Sequence, residues 1–588
     1  MQTLTWHTRA SLAALCAMLT LPFLNPHHFH PIPTFYPEWT AAACALLAAT
    51  LLLQSKVYAH LSLPRISLLP FGLAALTLLH LAFGRAPSTT QALLVLLYLL
   101  WGTLMLVLGR ALTHHISLER LAVTGALALL VGSLLSALLL ACQLMSPDLG
   151  LAWANYVFAH VKGGGNLAQA NHLANYLWLG LVSALFLHAR GTLGTVSFFV
   201  TGTTLLSAAS LTGSRSVLLY AAAMTLLAFW AARRTPSPDL RRLACAAAGL
   251  AALCIVLQFL FSHLQLSSSL QTNLAGERIF REVEGASIRL QLWHTAWRMF
   301  TDHPWLGYGV GQFPFTAFLL AGEHPDTYVG GGEHAHNIVM HLLAEYGLGG
   351  ALLLIGTTLA WWLHFARQDW TCARVWVAGI LLIISIHSQL EYPLWHTFFL
   401  GIAALLLGAG SRDGWPLQRT NLGRLVLSGM LLLGTVTLVN LGRDYRSLEH
   451  ALNPKLRPQA ERQDWNTTVS MLSRLHRNSL FAHYVELVYA FQMTVSREAL
   501  ADKIVVGEQA LRLSPADAIV YKYAFLLGLT GRTEEAQQAL HRAVASHPAY
   551  KATAAHQLTI LLREYPELMP LRGLLPETEQ TSRADDAT

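Results

Sequence analysis

Five side chains able to hold a charged substrate or move a proton fall in separate loops of this chain: Gln169, Arg215, Arg289, His336 and Tyr392. Arginine grips phosphate with a planar fork of donors, and histidine exchanges a proton near neutral pH. Two arginines with one histidine suit a phosphate or diphosphate group. His336 closes the run Gly330-Gly331-Gly332-Glu333-His334-Ala335-His336-Asn337, which passes through His341 and Glu345 to Gly347-Leu348-Gly349-Gly350. A loop of that composition bends to meet a substrate, and the apolar helix that follows holds its first side chains at a fixed depth.

A metal site is the competing reading, since Glu333, His334, His336 and His341 are residue types that ligate zinc. His334 and His336 are not spaced i, i+4, however, and the HExxH pattern is absent. The cysteines (Cys16, Cys44, Cys142, Cys245, Cys254, Cys372) lie in or beside apolar segments, so no disulfide is expected. Neither a metal nor a cofactor is expected.

These residues need elements that hold them at one depth. Hydrophobic residues make up 54% of the 588, charged residues 12%, and mean hydropathy is +0.44. That is the composition of an all-α polytopic membrane protein. Apolar runs lie near 10–24, 39–53, 68–83, 92–109, 121–143, 172–189, 192–211, 216–232, 243–261, 336–364, 373–390, 393–410 and 424–442. At roughly 20 residues per crossing they predict about 12–13 transmembrane helices. The first run ends at Pro22 without a clean small-residue cleavage site, so it reads as a span.

The net charge of +7 does not signal nucleic acid, because the cations sit in short loops between apolar runs. Arg233, Arg234, Arg241 and Arg242 set their loop on the cytoplasmic side. Alternation then places 144–171, the 211–216 turn, 262–335, 388–393 and everything after 443 outside. All five candidate residues fall on that outer side.

Arg215, in Leu211-Thr212-Gly213-Ser214-Arg215-Ser216, breaks the charge rule. It reads either as a cation reaching lipid phosphate or as an anion site shared with backbone N–H groups. Arg289, Trp293, Trp297 and Phe300 share one face of a helix expected to lie in the membrane interface. The Gly307-Tyr308-Gly309-Val310-Gly311 run is a turn-rich exit without nucleotide-fingerprint spacing. The loop with Lys162-Gly163-Gly164-Gly165-Asn166 leads to Gln169, Asn171, His172 and Asn175. Capping accounts for Asn171, whereas Gln169 and Asn175 entering a span point to a cavity. After 443, Ala510-Leu511-Arg512-Leu513-Ser514-Pro515 recurs loosely as Ala543-Val544-Ala545-Ser546-His547-Pro548. The period resembles tetratricopeptide packing.

His336-Asn337, nine residues, then Gly347-Leu348-Gly349-Gly350 resembles the HN-x9-GxxG signature of the bacterial O-antigen ligase and polymerase superfamily. Thr212-Gly213-Ser214-Arg215-Ser216 is similar to that family's Ser-Arg motif. Arg289 with Trp293, Ala296 and the Asp302–Gly309 turn resembles its large-loop motif. The likeness extends to the branch of O-linked oligosaccharyltransferases that glycosylate pilin. Its carriers there are Asn25-Pro26-His27-His28-Phe29, the Gln169 region, the Tyr392 turn and the appended C-terminal domain.

The resemblance implies a metal- and nucleotide-independent glycosyltransferase of the inner membrane. Its donor would be a glycan on undecaprenyl diphosphate, and its acceptor a Ser or Thr of pilin or another periplasmic protein. Arg215 and Arg289 would hold the diphosphate, and His336 would be general base or a protonated diphosphate ligand. Gln169 and Tyr392 would orient substrate, with Asn337 and Lys162 as further contacts. No side-chain nucleophile is evident, so a single inverting displacement is expected. The implied division is 1–261 and 336–442 as transmembrane helices, 262–335 as a periplasmic loop, 443–576 as a periplasmic helical-repeat domain and 577–588 as a disordered tail. Ligation to lipid A-core, O-antigen polymerisation and transport of a lipid-linked glycan are the alternatives.

Overall fold

The computed structural model describes residues 4–28, 31–53, 57–58, 62–149, 164–263, 284–325, 327–328, 332–416, 420–453, 456 and 465–575. In chain order the first helices are α1 (Trp6–Leu24), α2 (Phe35–Leu51), α3 (Leu68–Ala82), α4 (Thr89–Ile116), α5 (Leu118–Leu149), α6 (Ala170–Ala189) and α7 (Thr195–Leu211). There follow α8 (Ser216–Arg234), α9 (Pro238–His263), α10 (Glu284–Asp302), α11 (Phe313–Glu323), α12 (Ile338–Ala366), α13 (Cys372–Ser388), α14 (Thr397–Gly410) and α15 (Thr420–Leu452). The last are α16 (Trp465–Asn478), α17 (Ala482–Gln492), α18 (Leu500–Leu513), α19 (Asp517–Leu529), α20 (Thr533–Ser546) and α21 (Lys551–Leu561). Two short strands, β1 (Ser62–Pro64) and β2 (Gly414–Pro416), pair antiparallel with Ser62 opposite Pro416.

Among the described residues, α1, α3, α4, α5, α6, α8, α9, α12 and α15 are long and apolar enough to cross a membrane. The remaining apolar runs form α2 and the shorter apolar helices α7, α13 and α14. The protein is an all-α, multi-pass membrane protein. It divides into two compact units, one of Met1–Phe71, Tyr98–Val283 and Leu353–Arg443, the other of Gly72–Leu97, Glu284–Leu352 and Asp444–Thr588.

In the first unit α6 is the central helix, buried at every residue from His172 to Leu187. Small residues let its neighbours close in, as expected where lipid offers no hydrophobic drive between helices. A Cβ on Gly180 would strike the Ser133 hydroxyl of α5. α4 and α14 touch backbone to backbone, for a Cβ on Gly109 would meet the Leu405 carbonyl and one on Gly408 the Leu106 carbonyl. α15 is the opposite case, with Leu425, Val426, Leu432, Val436 and Val439 all facing outward.

In the second unit α12 is broken. Gly347 adopts φ 64° and ψ −159°, which a side chain would resist. The break frees the Ala344 and Glu345 carbonyls to accept from Tyr308 and Gly309, each at 3.0 Å, while Leu348 N–H donates to Pro304 at 2.7 Å. The 304–311 turn, with positive φ at Gly307, Gly309 and Gly311, thus fills the gap. The sequence reads 336–364 as one apolar run, and only this insertion shows why the glycine is there. α11 was not expected from the sequence. It begins at Phe313-Pro314, where proline suits a first helical turn. Its Phe318 enters the core of the C-terminal helices with Val520, Phe525, Leu540 and Leu558. Those helices pack against their sequence neighbours, α18 on α19 and α19 on α20.

Candidate active site

In the first unit the expected residues gather at one end of the bundle, where α6, α8 and α14 begin and α13 finishes. Ala168 takes a left-handed conformation, φ 55°, and turns the chain into α6. Gln169 then caps the helix, its Oε1 accepting from His172 N–H at 2.5 Å. The cap is therefore Gln169, not Asn171 as the sequence suggested. Asn171 instead donates to Glu391 Oε1 at 2.7 Å, and Gln169 Nε2 lies 3.5 Å from Glu391 Oε2. Glu391 is buried and immediately precedes Tyr392, so its carboxylate ties the 389–392 turn to the start of α6.

A second row of polar groups lies beside this clasp. His172 Nδ1 is 2.9 Å from His387 Nε2, and His387 Nδ1 is 3.2 Å from the Tyr220 hydroxyl. The Ser216 and Asn175 side chains also lie beside the Tyr220 hydroxyl. Ser216 Oγ is 2.7 Å from Ser214 Oγ, and those serines bracket Arg215 at the start of α8. The Tyr392 and His396 rings contact the His172 ring at 5.7 and 5.0 Å. His396 in turn meets Glu38 at 3.0 Å. Gln169, Arg215 and Tyr392 are thereby joined through side chains that pattern reading left unassigned.

The histidine-rich entry has a positional role. Both ring nitrogens of His28 face carbonyls, Asn166 at 2.7 Å and Pro33 at 3.1 Å, while Asn166 reaches back to the Phe23 carbonyl. Lys162 lies outside the described residues.

The second unit carries Arg289, His336 and Asn337. α10 buries Leu292, Ala296 and Met299 against Phe313, Ala317, Ala335 and Ala344, and Trp297 is half exposed. His336 sits at φ 50°, a left-handed conformation that costs a residue with a Cβ roughly 1 kcal/mol. Strain of this kind tends to mark functional positions. Asn337 caps α12, its Oδ1 accepting from Val339 at 3.0 Å and Met340 at 3.1 Å.

Below His336 a buried pair braces the segment. His341 Nδ1 faces the Ala335 N–H at 3.5 Å, so its Nε2 carries the proton directed at Glu345 Oε2, also 3.5 Å away. Glu345 Oε1 accepts the Phe313 N–H at 3.1 Å. Tyr308, on the intervening turn, donates to Asp302 at 3.3 Å, and burial beside that carboxylate raises its pKa.

Residues 198–355 match the family described as O-antigen ligase, a span that includes Arg215, Arg289 and His336. That stretch is similar to the O-antigen ligase family. A second family, described as virulence factor membrane-bound polymerase, C-terminal, matches 375–559. The general O-oligosaccharyltransferase of Acinetobacter baylyi is 25% identical over 443 residues, covering 74% of this chain and 75% of that protein. The chain is thus similar to a general O-oligosaccharyltransferase along most of its length.

Proposed function

We propose that the protein is an O-oligosaccharyltransferase that moves a glycan en bloc from undecaprenyl diphosphate to Ser or Thr of periplasmic proteins such as pilin. The observation that carries this reading is the similarity to a named general O-oligosaccharyltransferase over three-quarters of both chains. The transfer takes place at the periplasmic face of the inner membrane. Arg215 and Arg289 bind diphosphate oxygens and neutralise the charge that grows on the leaving group. His336 takes the proton of the acceptor hydroxyl. The hydroxyl oxygen attacks the anomeric carbon as the bond to diphosphate breaks, with inversion. The sugar–diphosphate bond supplies the driving force, so no nucleotide is consumed. Gln169 and Tyr392 orient donor or acceptor, and Lys162 and Asn337 add contacts to substrate.

The C-terminal match to a polymerase family favours a second reading, in which the acceptor is another lipid-linked glycan. One experiment separates the readings. Purified wild type and His336→Ala are given an undecaprenyl-diphosphate glycan with EDTA present, and offered pilin, a lipid A-core or further donor lipid. Glycan on a pilin hydroxyl, lost in His336→Ala, is the expected result. Transfer only to core or only to donor lipid overturns the protein acceptor and keeps the superfamily.

A further inference from the structure

We propose that His387 is a positioning residue for donor binding, supporting the turn that carries Arg215 through a buried row His172–His387–Tyr220 that ends beside Ser216. The inference rests on the proposed function for the identity of the donor, a lipid-linked diphosphate. His387 is wholly buried, at 0% exposure, near the end of α13. Ionisable side chains within apolar helices are rare and costly, and packing alone would be served by leucine.

What the ring does is specific. Both nitrogens are engaged, Nε2 with His172 at 2.9 Å and Nδ1 with Tyr220 at 3.2 Å. A bond between two imidazoles needs a single proton on that edge, so the tautomers of the two rings are coupled. Toward α8 the row reaches Tyr220, which stands beside Ser216, whose hydroxyl pairs with Ser214 at 2.7 Å on the other side of Arg215. Ser214 N–H is itself held by Thr212 Oγ1 at 3.2 Å. Toward α6 the row ends on His172, whose N–H is capped by Gln169, and the Tyr392 ring packs against it. One residue therefore links the three segments on which Gln169, Arg215 and Tyr392 stand. Removing it leaves Arg215 in place chemically but releases its turn.

The test measures affinity of the full chain in detergent for an undecaprenyl-diphosphate glycan, with no acceptor present. Tyr220→Phe and His387→Ala are each expected to weaken binding about five- to tenfold, the scale of one net hydrogen bond. His387→Gln, which can keep one partner, should fall between wild type and His387→Ala. The double variant should be no worse than the more affected single one, because both cut the same row. A merely structural role would lower the fraction of competent protein, hence stoichiometry, without changing affinity. Unchanged affinity in Tyr220→Phe overturns the proposal even where His387→Ala fails to fold. A wild type that binds no such lipid overturns the functional reading instead.

Discussion

The Glu345 carboxylate accepts the backbone N–H of Phe313 at 3.1 Å and faces His341 on its other oxygen at 3.5 Å. One buried acid therefore joins the helix entered from His336 to the start of α11. Removing it strands two donors in an apolar interior. Glu345→Ala is expected to cost about 3 kcal/mol, since it leaves a buried partner uncompensated. A thermal melt in detergent checks this, and an unchanged midpoint would show that the clasp carries no stability.

Gly347 is expected to tolerate no side chain. At φ 64° its added Cβ would lie 2.6 Å from the Trp305 carbonyl oxygen. Gly347→Ala should therefore expel the 304–311 turn and cut transfer by at least about tenfold. Gly356→Ala, in the same helix with nothing within 4 Å of the added carbon, is the matched control and should be silent.

His336 presents a split between stability and activity. Its left-handed backbone is strained for histidine and comfortable for glycine, so His336→Gly should fold as well as wild type or better by roughly 1 kcal/mol. Transfer should nevertheless be lost. A variant as active as wild type would remove His336 from the chemistry.

His483, at the start of α17, supplies a pH test. Burial lowers its pKa to about 4, and the ring meets Thr90 at 3.0 Å. Between about pH 6.5 and 4 the unfolded chain binds the proton and the folded chain does not. Stability should fall as pH drops through that window and be unaffected by this group above it. His483→Gln should flatten the slope there, which denaturation at stepped pH measures.

The sequence was legible where a pattern has one local cause. Each apolar run became a helix because lipid permits little else. Partners far along the chain were not legible. His172 meets His387, and Asn171 meets Glu391, across more than 200 residues, and nothing in either neighbourhood names the other. Capping at α6 was misassigned because Asn171 is the better capper by type, whereas the left-handed Ala168 decides the matter for Gln169. Gly347 stood out as part of a signature, but the break it makes in α12 did not, since permissive φ/ψ does not announce whether it is used.

α11 belongs as much to the C-terminal helices as to its own loop: Phe318 lies in their core, and Arg542 packs on Gly322 and reaches Glu323. A graft that cut the chain after residue 443 would leave that aromatic bare. The C-terminal helices share one compact unit with Gly72–Leu97 and Glu284–Leu352, so a chimera that takes everything from Asp444 onward must carry at least the stretch Phe313–Glu323 with it.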